Sequence, residues 1–132
     1  MNLELENEIL SSHPTIFDGF SSRFKSEECF ECGDGWRGVI AELADRLEAY
    51  AGIAKSEGLS VVQVKEKFGS LRVYFRGPVP AKVRDWVSTA EHQSARTCEL
   101  CAAPAALRAR PEGGYVRTLC AACGDANNFR LR

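Results

Sequence analysis

Two Cys-x-x-Cys hooks, Cys98/Cys101 and Cys120/Cys123, stand eighteen residues apart, and the stretch between them carries the turn-forming run Pro111-Glu112-Gly113-Gly114. Two thiolates separated by two residues can bend around one ion, and two such hooks complete the tetrahedron of a structural zinc site. Small residues sit beside both hooks, Ala102 and Ala103 after the first and Ala121, Ala122 and Gly124 around the second. The C-terminal third therefore reads as a zinc module that binds one structural Zn2+ per chain through Cys98, Cys101, Cys120 and Cys123. Two disulfides or four reduced structural thiols are the competing readings. The spacing names a metal and no activity.

Chemical context favours the metal. The first eight residues, Met1-Asn2-Leu3-Glu4-Leu5-Glu6-Asn7-Glu8, carry acids where a secretory signal would carry a basic patch and then an apolar run. No stretch approaches the roughly eighteen uninterrupted apolar residues that span a bilayer. A cytoplasmic protein is expected, with no membrane partner. In that reducing compartment, six cysteines arranged as three Cys-x-x-Cys pairs point to metal or redox chemistry over a disulfide framework.

A chain of 132 residues has room for one compact core and a small appendage. A tail of roughly forty residues cannot bury enough apolar surface to fold unaided, and a metal supplies that help. The expected division is an α+β domain over residues 1–95 and a four-cysteine zinc module over 96–132. Charge is uneven: residues 1–57 hold 5 basic and 12 acidic side chains, while residues 58–92 and 93–132 each hold 6 basic and 3 acidic. An acidic first half and a mildly basic remainder lack the strong positive balance of a dedicated DNA binder.

Periodicity supplies the elements. Residues 2–11 suit a short helix ended by His13-Pro14, because proline disfavours helical geometry at the residue before it. Phe17, Phe20 and Phe24 recur at helical spacing and are expected to dock on the core. From Trp36, the residues Ile40, Leu43, Leu47, Tyr50 and Ala54 repeat every three or four positions, which predicts an amphipathic helix with Asp34 as N-cap and Gly58 as its stop. Ser60–Phe68 and Leu71–Arg76 alternate, and Gly69-Ser70 suits a type II′ turn between them. In that register Phe68 pairs with Leu71, Glu66 with Val73 and Val64 with Phe75. After the rigid Gly77-Pro78-Val79-Pro80, the residues Val83, Trp86, Val87 and Ala90 mark another amphipathic helix. Between the hooks, residues 105–110 and 115–119 read as two short strands, with a turn or two of helix after Cys123. A second hook leading into a helix describes a treble clef, and a second knuckle on a loop describes a zinc ribbon; the sequence leaves both open.

Three blocks carry a resemblance: Phe30-Glu31-Cys32-Gly33-Asp34-Gly35-Trp36, then Gln63-Val64-Lys65-Glu66-Lys67-Phe68-Gly69-Ser70-Leu71-Arg72, then Ala90-Glu91 running into Thr97-Cys98-Glu99-Leu100-Cys101 with Thr118-Leu119-Cys120 downstream. The chain resembles small uncharacterised zinc-module proteins of bacteriophages and prophages, from about Ser12 onward. The resemblance implies a phage or prophage origin and a zinc-bearing tail, and it brings no reaction or catalytic residue with it.

Other groups have chemical potential. Cys29-Phe30-Glu31-Cys32 is the third Cys-x-x-Cys, and Cys32 precedes a predicted helix start, where the dipole would lower its pKa. Structural thiols, a redox pair and a second metal with His13 or Asp34 are its three readings, in that order. Glu66 is the one acid expected on the apolar face of the hairpin, where isolation would raise its pKa and pairing with Arg or Lys would satisfy it. The opposite face presents Lys65, Lys67, Arg72, Tyr74 and Arg76, and the zinc module adds Arg96, Arg108, Arg110, Arg117, Arg130 and Arg132. Basic side chains with an interleaved aromatic can track a phosphate backbone or an acidic protein surface. Only His13 and His92 exist, too few for most histidine-based catalytic constellations.

The sequence thus leads to helices packed on a β-hairpin, followed by a four-cysteine module with a structural ion and no assignable catalytic residues. The favoured expectation is a non-enzymatic binding protein of phage type that acts on a host or phage macromolecule, an anti-defence or host-takeover inhibitor being one form. A nucleic-acid-binding accessory factor is the first alternative, and a thiol redox protein or enzyme using Cys32 the second.

Overall fold

The computed structural model describes residues 1–20, 29–54 and 58–132, and it is α+β. Helix α1 (Leu3–Ser12) starts where Asn2 accepts the Leu5 amide, with Glu4 and Glu6 in the first turn, and it ends ahead of Pro14. Phe17 and Phe20 do not continue a helix; they lie in successive turns. There they bury against Phe30, with Phe17 to Phe20 and Phe17 to Phe30 ring centroids 5.3 and 5.7 Å apart. Phe24 falls outside the described residues.

A short 3-10 turn (Asp34–Trp36) leads into α2 (Arg37–Ile53), which buries Val39, Ile40, Leu43, Ala44, Leu47 and Ala51 on one stripe. Asp34 does not cap this helix. Its carboxylate takes the Asn2 backbone amide at 2.8 Å and the Asn2 side-chain amide at 3.2 Å, so it fastens the start of α1 to the start of α2. Farther along α2, Glu48 accepts the amides of Thr15 and Ile16. Burial pushes its carboxyl up, but those hydrogen bonds outweigh burial and hold it below its ordinary value.

Strands β1 (Ser60–Lys67) and β2 (Ser70–Arg76) form the expected hairpin with a different turn. Lys67 pairs with Ser70, Glu66 with Leu71 and Val64 with Val73, so Phe68-Gly69 is the two-residue loop. Both loop residues have positive φ, 54° and 83°, as a type I′ turn requires. The pairing is shifted by two residues from the expected register. A shift of two preserves which face each side chain occupies, so Val64, Leu71 and Val73 still point to the core. A bulge between Val61 and Gln63 turns Val61 inward, where simple alternation back from Val64 would place Val62.

The segment around Glu31 runs parallel beside β1: its amide donates to the Val64 carbonyl, and its carbonyl accepts from Glu66, both at 2.9 Å. Buried Glu6 holds this segment in place, accepting the Cys29 and Phe30 amides at 2.8–2.9 Å, and the Met1 ammonium donates to the carbonyls of Phe30 and Cys32. Helix α3 (Ala81–Ser94) then packs Val83 and Ala90 against the main core. The C-terminal strands β3 (Ala106–Ala109) and β4 (Val116–Leu119), helix α4 (Ala121–Ala126) and strand β5 (Arg130–Leu131) build a second, three-stranded sheet in the order β4-β3-β5. Cys98, Leu119 and Phe129 form its own small core. Strand β5 was not foreseen, since two residues carry no periodicity.

Candidate metal centre

The first hook folds as a tight knuckle. Cys98 donates its amide to Ala103, Ala102 donates to Cys98, and Thr97 bridges Pro104, so the chain reverses around Cys101. Ala102 takes φ of 72° in this reversal, a left-handed conformation uncommon outside glycine that a β-branched or bulky side chain would tolerate worse still. The second hook opens a helix: Cys120 is the N-cap of α4, and its sulfur accepts the Cys123 amide at 3.4 Å. A knuckle, the β3–β4 hairpin and a hook at a helix start make the treble-clef arrangement. The zinc-ribbon alternative has no helix at this place.

All four sulfurs, of Cys98, Cys101, Cys120 and Cys123, lie within 4.8 Å of one another. A tetrahedron with metal–sulfur bonds of about 2.3 Å has sulfurs about 3.8 Å apart. Cys101 and Cys120 approach to 3.6 Å, so the cage already has the size of a four-thiolate ion site. All six cysteines of the chain are free of disulfides. Burial pushes the Cys98 thiol up, yet the amides of Cys120, Cys101 and Leu100 turned towards it bring it down to about 7. Cys123 is pushed up to about 12, chiefly by its hydrogen bond with the Cys120 sulfur. Thiolates this close repel one another, and a shared cation removes that conflict. Four protein ligands also leave a tetrahedral ion no open position for water or substrate.

The hook does more than ligate. Glu99, inside it and buried, accepts the Gly33 amide at 2.9 Å and the Arg117 guanidinium at 3.0 Å, and its carbonyl accepts the Gly35 amide at 2.8 Å. The Trp36 indole donates to Thr97 at 2.8 Å. Gly35 sits so close that a Cβ there would fall 2.1 Å from the Cys98 carbonyl oxygen. The hairpin tip meets the module too: Thr118 donates its hydroxyl to the Gly69 carbonyl, and a Cβ on Gly69 would strike Leu107. Sequence reasoning passed over Glu99 and Thr118, because their partners lie 66 and 49 residues away and nothing local marks them.

Glu66 lies on the core-side face of the hairpin as expected, but a specific duty explains it. One oxygen accepts the Gly69 amide at 2.7 Å, and the other meets the Tyr115 hydroxyl at 3.4 Å. It braces the turn; neither an Arg nor a Lys pairs with it among the described residues.

Cys29 and Cys32 are buried, and their thiols shift opposite to what a redox nucleophile requires. Burial, then Glu6, raises Cys29. Burial pushes Cys32 up to about 12, with the Met1 ammonium opposing and Glu99, Glu6 and Asp34 adding to the rise. His13 is spanned between the Ile9 carbonyl and the Asp45 carboxylate, and Asp34 is engaged with Asn2. Among the described residues, the four C-terminal cysteines form the one cluster of three or more metal-ligating side chains.

Protein-family models, curated proteins and solved structures contain no match to this chain. The functional reading rests on its own geometry. On the solvent face of the hairpin, Lys65, Lys67, Arg72, Tyr74 and Arg76 lie together with Ser60, Gln63 and Ser70, and β1 and β2 contribute no acid to that face. Arg72 is held by Glu91 of α3 at 3.5 Å, and Gln63 donates to Glu31. The arginines of the module are largely engaged: Arg117 with Glu99, Arg108 with the Leu119 carbonyl, Arg130 with Asp125, and Arg110 over the Phe129 ring. His92 is exposed. Among the described residues no helix is long and apolar enough to cross a membrane.

Proposed function

We propose that this chain is a non-enzymatic binding protein, stapled by one zinc ion at Cys98, Cys101, Cys120 and Cys123, that engages a macromolecule through the tip and solvent face of its hairpin. Zinc is the ion of choice for a closed four-thiolate cage in a treble clef, where it contributes folding energy and no chemistry. The resemblance to phage and prophage proteins supports a host or phage protein as the partner, and inhibition of a host or defence component as the outcome.

The observation that carries this reading is Phe68. A bulky aromatic occupies a left-handed position that favours Asn or Gly, and 73% of it is exposed, with the Lys67 ammonium 5.6 Å from its ring centroid. Glu66, Thr118 and Leu107 fix the turn beneath it. A strained, exposed and rigidly mounted aromatic is a poor choice for stability and a good anchor for binding, since aromatics dominate interface hot spots.

Phe68→Asn tests this. The change restores the Asn-Gly pair that a type I′ turn prefers, so thermal stability is expected to hold or rise by about 0.5–1 kcal/mol. Capture of the partner from infected or host cells, read by mass spectrometry, is expected to fall at least tenfold. Undiminished capture would remove the hairpin tip from the interface.

A second reading has its own support: the hairpin face holds Lys65, Lys67 and Arg76 with exposed Tyr74, a pattern suited to single-stranded nucleic acid. In that case binding weakens steeply with salt, and Lys67→Ala lowers the slope by about one unit, whereas Arg72→Ala lowers it less because Glu91 already neutralises Arg72.

A further inference from the structure

The outer edge of β2 is open where it could pair with another strand. Glu31 takes up the Val64 carbonyl and the Glu66 amide on the far side of β1, so the pairs Val64–Val73 and Glu66–Leu71 turn their backbone groups away from each other. Leu71, Val73 and Phe75 therefore direct their N–H and C=O groups to the side away from β1. The Leu71 amide is satisfied by the Ser94 hydroxyl at 2.9 Å. Among the described residues, no hydrogen bond reaches the outward groups of Val73 and Phe75.

Beside those two residues lies a groove of about 300 Å³ between β2 and α3, walled by Val73, Phe75, Val79 and Val87 and flanked by Arg84 and Glu91. Proteins normally protect such an edge with lysine, proline or a covering loop. Here α3 caps the edge only at Leu71, and beside Val73 and Phe75 it is bordered by apolar side chains. The charges at the groove are unequal in freedom: Glu91 is paired with Arg72, while Arg84 is exposed and makes no ion pair among the described residues. The free charge at the groove is thus positive.

We propose that this groove binds an extended, acidic peptide segment of a partner protein, which adds as a strand to β2 through the backbone of Val73 and Phe75. Main-chain hydrogen bonds supply the affinity of such strand addition, and alternate side chains supply the specificity. The peptide places two apolar side chains, two residues apart, against Val73, Phe75, Val79 and Val87, and a carboxylate against Arg84. The inference rests on the reading of the chain as a binding protein and adds the chemistry of its partner.

The test uses the intact chain, labelled with nitrogen-15, and an array of synthetic seven-residue peptides. Two apolar positions, two apart, run through Val, Ile, Leu and Phe, and one flanking position is Glu or Lys. The Glu peptides are expected to shift the amides of Val73 and Phe75 and to bind about tenfold or more tightly than their Lys counterparts, and Arg84→Glu is expected to reverse that preference. Ser88→Glu, an exposed change one helical turn from Arg84, is expected to weaken the Glu peptides without affecting the fold. Failure of every peptide to shift Val73 and Phe75 would overturn the proposal. So would shifts confined to Lys65, Lys67 and Tyr74, or β2 amides that become protected with rising protein concentration alone, which would assign the edge to a second copy of the chain. Amide shifts at Val73 and Phe75 read the groove and partner capture by Phe68→Asn reads the tip, so the two failures are separable.

Discussion

At the scale of single residues, the most consequential side chains are acids inside the protein. Glu6 is 1% exposed and receives two backbone amides, with the Met1 ammonium 4.0 Å away. Removing one partner of a buried charged network leaves the others desolvated and unpaired. Glu6→Ala is expected to lower unfolding free energy by about 3 kcal/mol, and Glu6→Gln, which keeps an acceptor, by about half that, measured by urea denaturation. Equal stability of Glu6→Ala and the parent would show that the segment around Cys29 is held by packing alone. Such acids were hard to read from sequence. Glu6 looked like one more charge in an acidic helix, and its role emerges only when a segment 23 residues away supplies amides.

At the scale of elements, periodicity located the helices because burial of one face follows from local spacing: Leu43 and Leu47 of α2, or Val83 and Ala90 of α3, needed no tertiary information. The hairpin faces were legible for the same reason. Its turn was not, because Gly69-Ser70 satisfies a local rule, while the observed Phe68-Gly69 loop is held by Glu66, Thr118 and Leu107 from outside it. The clustering of the four C-terminal cysteines was legible because two Cys-x-x-Cys hooks across a hairpin bring their sulfurs together by spacing alone. The contacts made by their hook were not. Gly35 tests that part: Gly35→Ala places a carbon against the Cys98 carbonyl, so the cost is expected to be about 2–3 kcal/mol, in a variant whose knuckle amides lose hydrogen-exchange protection first. An unaltered variant would mean that the loop and the knuckle can separate freely.

At the scale of the whole molecule, two cores meet along a hydrogen-bonded seam. The main core gathers α1, α2, α3 and the hairpin, and the smaller one surrounds Cys98, Leu119 and Phe129. The smaller core is too slight to fold without a staple, whereas the larger has several buried aromatics of its own. Removing metal with a chelator is therefore expected to release protection in β3, β4 and α4. The amides of Gly33, Gly35 and Gly69 are expected to follow, since Glu99 and Thr118 hold those loops, while the centre of α2 stays protected. Hydrogen exchange with and without chelator checks this. Uniform loss across the chain would make the two cores one cooperative unit.

The proposed role of the C-terminal module turns on its four cysteines forming a closed, structural metal centre. X-ray absorption at the zinc edge, on protein purified without chelator, measures it directly. One zinc per chain is expected, surrounded by four sulfurs at about 2.3 Å, with no nitrogen or oxygen ligand. Protein without metal, or zinc with fewer sulfurs and a bound water, would contradict it.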